Sequence, residues 1–226
     1  MSVLIKICGL RTPEALDVAI EAGADMVGFV FFAPSPRNVG YAAARVLGER
    51  VRGRAKKVAL TVDAPDAELA AIVDALKPDL LQLHGKEPPE RVATVRSRFG
   101  LPVMKALPIA ERADLSPVRL YDKVADRLLF DARPPRDATR PGGLGRTFDW
   151  QLLEDLRIDV PYMLSGGLDA GNVAEALRIT WAPGVDVSSG VERAPGEKDF
   201  DKIKAFVQAA RQAAPQGSGQ KIASSA

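Results

Sequence analysis

The sequence predicts an α/β fold closed as a single (βα)8 TIM barrel, and three observations carry the prediction. Short apolar runs alternate with longer amphipathic stretches eight times along the chain. Strands that alternate with helices pair in parallel through right-handed crossovers. The length of 226 residues suits one such barrel. Polar residues also stand directly after most of the apolar runs, where a barrel of this type keeps its chemistry. Periodicity alone leaves an open doubly wound sheet as the alternative; eight units in this length favour closure.

The elements follow in order. Residues 3–7 read as the first strand, and a helix begins near Thr12 with Pro13 in its first turn, where a missing N–H costs nothing. Strand 26–31 is followed by helix 41–51, strand 57–62 by helix 66–76, and strand 80–83 by helix 88–99. In the second half, strand 103–107 precedes a short helix at 115–123. Strand 127–130 then leads into a long loop rich in Pro and Gly and a helix at 148–156. Strand 162–164 with helix 171–179, and strand 184–187 with helix 200–214, complete the set. Residues 1–213 thus form one barrel domain, and the tail 214–226, without apolar pattern, is expected to be disordered.

Composition narrows the function. Hydrophobic residues make up 46% and aromatic residues 6%, so the core must be largely aliphatic. A net charge of +2, from 31 basic and 29 acidic residues, argues against a nucleic-acid partner, which needs a concentrated basic face. The densest basic run, Arg52, Arg54, Lys56 and Lys57, falls at a helix-to-strand turn and reads as solvated. With Cys8 the only cysteine and His84 the only histidine, neither a disulfide nor a zinc site is expected. The start lacks a signal-peptide pattern and no run of 18 apolar residues suggests a membrane span, which points to the cytoplasm. A monomer is expected, since the strand-end motifs need no second chain.

The strand ends supply the candidate site. Ser165-Gly166-Gly167 and Ser188-Ser189-Gly190 follow strands seven and eight, the pair of loops with which barrels often hold phosphate. Small residues let successive backbone N–H groups approach a dianion. One such loop would be an ordinary tight turn; both together favour a phosphorylated small-molecule ligand. Cys8 shares strand parity with Lys6 and precedes Gly9; inert burial and a reactive thiol are equally compatible with that position. Lowering its pKa from about 8.5 would make it a competent base. Asp131 ends strand six before Ala132-Arg133-Pro134-Pro135, which starts no helix, so a site role is favoured over a cap. Partial burial there would raise its pKa, as suits a general acid. Arg37 sits in a loop stiffened by Pro34 and Pro36 and fits a carboxylate clamp. His84 ends strand four, two residues after Gln82, and fits either substrate contact or loop orientation. The glycine-rich run 140–146 lacks the spacing of a nucleotide-binding loop and reads as a lid.

Taken together, the segments resemble the phosphoribosylanthranilate isomerase family. The matching pieces are Lys6-Ile7-Cys8-Gly9, Gly28-Phe29-Val30-Phe31 with Ser35-Pro36-Arg37, and Leu81-Gln82-Leu83-His84-Gly85. Asp131, the run 142–150, Ser165-Gly166-Gly167-Leu168 with Asn172-Val173, and the run 184–192 continue the series in order. The resemblance implies an Amadori rearrangement of N-(5-phosphoribosyl)anthranilate, with no cofactor and no metal. It implies Cys8 as general base, Asp131 as general acid, Arg37 on the anthranilate carboxylate, and the two small-residue loops on the phosphate. Lys6, Gln82 and His84 are carried with the motifs as substrate-side residues. The family's lid usually holds a lysine where this chain has Arg146.

Two alternatives stand beside this reading. A histidine-pathway isomerase performs the same rearrangement on a bis-phosphorylated substrate, but typically has aspartate in place of Cys8 and needs a second phosphate site. A barrel that merely binds a phosphorylated ligand would not require both Cys8 and Asp131.

Overall fold

The computed structural model describes residues 2–135 and 137–213, so the predicted tail lies outside the described residues. Eight parallel strands close a barrel in sequence order: β1 (Leu4–Cys8), β2 (Met26–Phe31), β3 (Lys56–Thr61), β4 (Leu80–Leu83), β5 (Val103–Ile109), β6 (Arg127–Ala132), β7 (Tyr162–Leu164) and β8 (Gly184–Val187). Closure is made by β8 pairing with β1, with Lys6 opposite Asp186. An antiparallel hairpin, β9 (Glu192–Ala194) and β10 (Glu197–Lys198), follows the barrel.

The helices are α1 (Pro13–Glu21), α2 (Tyr41–Val51), α3 (Asp66–Leu76), α4 (Pro89–Phe99), α5 (Val118–Tyr121), α6 (Val173–Thr180) and α7 (Phe200–Ala213). Thr12 caps α1, its hydroxyl accepting from the Ala15 N–H, with Pro13 in the first turn as the sequence predicts. None of the described helices is long and apolar enough to cross a membrane.

Several elements differ from expectation: β5 runs two residues beyond the expected 103–107 and the β9–β10 hairpin was not expected, and three further differences have clear causes or consequences. The helix after β5 is broken into a 3₁₀ turn (Arg112–Leu115) and a single α turn, because Pro117 has no N–H to bond back to the Ala113 carbonyl and continue the first turn. The helix predicted over 148–156 shrinks to one 3₁₀ turn (Trp150–Leu153) started by the Asp149 side chain; only Leu153 in that turn is fully buried, so no longer apolar face needs covering. β6 runs two residues further than predicted, which places Asp131 inside the strand rather than after it.

Strand parity divides the core in two. Ile5, Ile7, Val27, Phe29, Leu128, Phe130 and Val185 point outward and pack beneath the helices. Met26, Val58, Leu80, Met104, Leu129 and Met163 point inward and plug the lower half of the barrel. Three of these are methionines, whose flexible thioethers fill an irregular space that branched side chains alone would leave gapped. Above this plug Lys6, Gln82, Asp131, Ser165 and Asp186 join an apolar cluster of Cys8, Val30 and Leu60, and there the site begins.

Candidate active site

The C-terminal ends of the strands enclose an open-mouthed cleft of about 800 Å³. Cys8, Arg37, His84, Asp131, Gly166, Gly167, Ser188 and Ser189 line it, so eight of the sequence-predicted residues share one space. Lys6, Gln82 and Gly190 do not line it. Lys6 and Gln82 are fully buried in the barrel interior beneath the cleft and act from below. Gly190 supports the rim: a Cβ there would run into the Leu168 carbonyl, so glycine lets the loop after β8 pack on the loop after β7.

Cys8 stands on one wall. Gly28 beside it leaves the room the thiol needs, since a Cβ at Gly28 would lie 2.9 Å from Cys8 Sγ. The Lys6 ammonium lies 2.7 Å from Asp186 Oδ1, and both groups are buried. Burial by itself would lower the Lys6 pKa, but Asp186 and Cys8 outweigh it and hold the ammonium above its ordinary value. At Cys8 the balance falls the other way. Burial pushes the thiol above its ordinary pKa, helped by Asp186, although Lys6 and Lys198 pull it down. The surroundings of Cys8 therefore hold its pKa up rather than lowering it, with Lys6 close by as the group that favours the thiolate.

Asp131 faces the same cleft from β6. Its Oδ1 accepts from the Ala132 N–H at 2.9 Å, and Oδ2 lies 3.2 Å from His84 Nε2. The other ring nitrogen of His84, Nδ1, is 3.1 Å from Gln82 Nε2. Gly142 of the predicted lid rests on this pair, and a Cβ on it would come within 2.6 Å of Asp131 Oδ2. Behind His84, Lys105 on the outer face of β5 lies 2.7 Å from Glu87 Oε2 and donates to the Gly85 carbonyl. Glu87 in turn accepts from the N–H groups of Asp63 and Gly85. This buried pair locks the loops after β3 and β4 together at the root of His84.

Arg37 is not the free clamp that its stiff loop suggests. It is buried, and its guanidinium forms a two-pronged pair with Glu192, both contacts at 2.7 Å, and also donates to the Gly143 carbonyl. Glu192 also lies 2.9 Å from Lys198 Nζ. Lys198 donates to the Ser188 carbonyl at 2.8 Å, and Ser188 Oγ donates to the Cys8 carbonyl at 3.1 Å. One chain of contacts thus runs from the loop after β2, through the β9–β10 hairpin, to the loop after β8. At the other loop, Gly166 and Gly167 have positive φ of 89° and 61°. Side chains at either position would strike Ala132 or Arg146, and Asn172 fixes the loop by donating to the Gly167 carbonyl. Both glycines line the cleft, and such left-handed backbone is the conformation in which successive N–H groups can cradle an anion.

Asp186, Glu192, Lys198 and Lys105 were not among the sequence-predicted site residues, although Asp186 and Glu192 lie in the 184–192 motif. A signal existed for Asp186, an acid at inward parity within a buried run. Nothing local marks Glu192 or Lys198, whose roles arise from partners brought together by the fold.

The model of the family described as N-(5'phosphoribosyl)anthranilate (PRA) isomerase matches residues 5–209. N-(5'-phosphoribosyl)anthranilate isomerase of Bradyrhizobium sp. (strain ORS 278) is 65% identical over 213 residues, covering 94% of this chain and 97% of that protein. The same enzyme of Bradyrhizobium diazoefficiens is 63% identical over 222 residues, covering 98% and 99%. Among solved structures, phosphoribosyl anthranilate isomerase from Thermotoga maritima superposes with a TM-score of 0.83 at 33% identity, covering 93% of this chain and 99% of that one. A phosphoribosyl anthranilate isomerase in complex with reduced 1-(o-carboxyphenylamino)-1-deoxyribulose 5-phosphate gives a TM-score of 0.80 at 31% identity, with coverage of 93% and 99%. The barrel, the strand-end residues in their order and these matches agree: the chain belongs to the phosphoribosylanthranilate isomerase family.

Proposed function

We propose that the protein isomerises N-(5-phosphoribosyl)anthranilate to 1-(2-carboxyphenylamino)-1-deoxyribulose 5-phosphate in tryptophan biosynthesis, with Asp131 as general acid and Cys8 as general base. The observation that carries the reading is the placing of Cys8 and Asp131 on one cleft whose rim holds both small-residue loops. Asp131 protonates the furanose ring oxygen, and the C1–O bond breaks to leave an iminium ion. The iminium acidifies the proton on C2. The Cys8 thiolate, steadied by Lys6, removes that proton. Tautomerisation of the enol-amine puts a proton on C1 and releases the one on the C2 oxygen, which restores both groups. The phosphate rests on the loops bearing Gly166, Gly167, Ser188 and Ser189. Arg37, with Glu192 occupying two of its nitrogens, offers the anthranilate carboxylate its remaining edge. No metal or cofactor enters the scheme. The reading goes with a cytoplasmic monomer; a sedimentation mass of twice 24.2 kDa would replace the monomer with a dimer.

The test is a steady-state assay with phosphoribosylanthranilate, following anthranilate fluorescence, for wild type, Cys8→Ala and Asp131→Ala. Loss of turnover by roughly 10²–10⁴-fold or more in each variant supports the assignment. A folded wild type without turnover would overturn the substrate, and an active Asp131→Ala would overturn the acid.

A further inference from the structure

A general acid must hold a proton, yet both carboxylate oxygens of Asp131 are placed to accept. Oδ1 takes the Ala132 N–H, and Oδ2 faces His84 Nε2. The orientation of the ring is set from below. An amide nitrogen can only donate, so Gln82 Nε2 at 3.1 Å makes His84 Nδ1 an acceptor and leaves the ring hydrogen on Nε2, toward Asp131. Gln82 Oε1, meanwhile, is buried and finds no hydrogen-bond partner among the described residues. A buried unpartnered carbonyl is costly, and here the acceptor lies on the same amide that faces the ring.

From this geometry we infer that Gln82, His84 and Asp131 form one proton relay, in which the acid of the reaction is the His84–Asp131 couple and the Gln82 amide follows its charge state. In the arrangement of the structure the couple is empty: carboxylate, Nε2–H, and Nδ1 accepting from the amide nitrogen. Adding one proton puts hydrogen on both ring nitrogens, or on Nδ1 and the carboxyl. Either form requires an acceptor opposite Nδ1, which the amide supplies by turning its carbonyl to the ring. The proton given to the sugar ring oxygen leaves the couple empty, and the proton released from the C2 oxygen refills it. Gln82 and His84 act through Asp131 and are positioning residues. The inference rests on the general-acid role proposed above for Asp131.

Other ionisable groups lining the space around the ring are Asp63, Lys86 and Arg140, from the loops after β3, β4 and β6. Cys8, Arg37, Arg133, Arg146 and Asp186 line the wider cleft. Lys105 and Glu87 stand behind the loop and neutralise one another. All of these stay in place in the test.

Because His84 is the only histidine, nitrogen NMR reads its ring without ambiguity. At alkaline pH the wild-type ring should be the Nε2–H tautomer, and the Gln82 side-chain NH2 resonance should move with the same midpoint as the ring on acidification. In Gln82→Glu, a carboxylate opposite Nδ1 holds the loaded couple. The ring midpoint and the alkaline limb of kcat should then both move up by about one pH unit, a tenfold change in the proton equilibrium. A wild-type ring in the Nδ1–H tautomer at alkaline pH, or a Gln82 NH2 signal indifferent to the ring titration, overturns the relay even where Gln82→Glu does not fold. An unshifted limb in folded Gln82→Glu overturns it as well. The outcomes separate cleanly: these failures with an inactive Asp131→Ala leave the acid assignment standing, whereas an active Asp131→Ala removes the acid itself.

Discussion

Lys6 and Asp186 form a buried pair 2.7 Å apart under Cys8, and a single substitution there has two readable effects. Lys6→Met leaves a buried carboxylate unpaired, at a cost of about 3–5 kcal/mol in a denaturation experiment. It also removes the nearest cation from a thiol already raised by burial. The ascending limb of kcat/KM should therefore move to higher pH, while Lys6→Arg keeps the limb closer to that of wild type. Gly142 gives the complementary case. Its backbone has no positive φ, so alanine is conformationally tolerated, but the added methyl would press on Asp131 and His84. Gly142→Ala should lower kcat by about 10²-fold through misplacement of the acid, with little change in Tm. At this scale the sequence was legible where chemistry dictates a residue type. That Cys8, Asp131 and the small-residue loops share the cleft could be foreseen that way. Glu192 could not, because its meaning depends on Arg37, 155 residues away along the chain.

The β9–β10 hairpin is an element whose purpose lies outside itself. It carries Glu192 and Lys198 to Arg37 and Ser188, and so couples the loop after β2 to the loop after β8. Burial would raise the Glu192 carboxyl, but Arg37 and Lys198 prevail and hold its pKa below the ordinary value. A carboxyl lowered on folding adds stability that is complete above the unfolded value and lost as pH falls toward the folded one. The wild type should therefore weaken progressively below about pH 4.3. Glu192→Gln should be less stable at neutral pH and show a flatter acid limb, as measured by urea titration across pH. The sequence predicted all eight βα units because their apolar periods are long. It overstated the helices after β5 and β6, where Pro117 and a single buried leucine in the Trp150–Leu153 turn stop the helix after about one turn. Hydrophobic pattern reports which residues want burial; it does not report how many turns the barrel leaves room for.

The barrel as a whole separates stability from chemistry along its axis. Its lower half is an inward plug of methionines and aliphatic residues, and its upper half sets polar and charged groups beside a small apolar cluster of Cys8, Val30 and Leu60. Arg127 belongs to the lower end. It opposes Met104 in register, burial lowers its pKa, and its NH1 is buried with no partner among the described residues. Arg127→Met should raise stability by about 1 kcal/mol, seen as a higher Tm, with kcat unchanged. A fall in kcat would show that the two halves are not independent. Closure of the barrel has a further meaning for synthesis. The strand that completes the sheet brings Asp186 to Lys6 across 180 residues, and Ser188 to the backbone of Cys8. A nascent chain on the ribosome therefore exposes Cys8 long before Asp186 and Ser188, so on the proposed assignment the surroundings of the thiol are incomplete until nearly the whole barrel has emerged. Unfinished chains should be catalytically silent, and the appearance of turnover during translation should mark the moment at which the last strand docks.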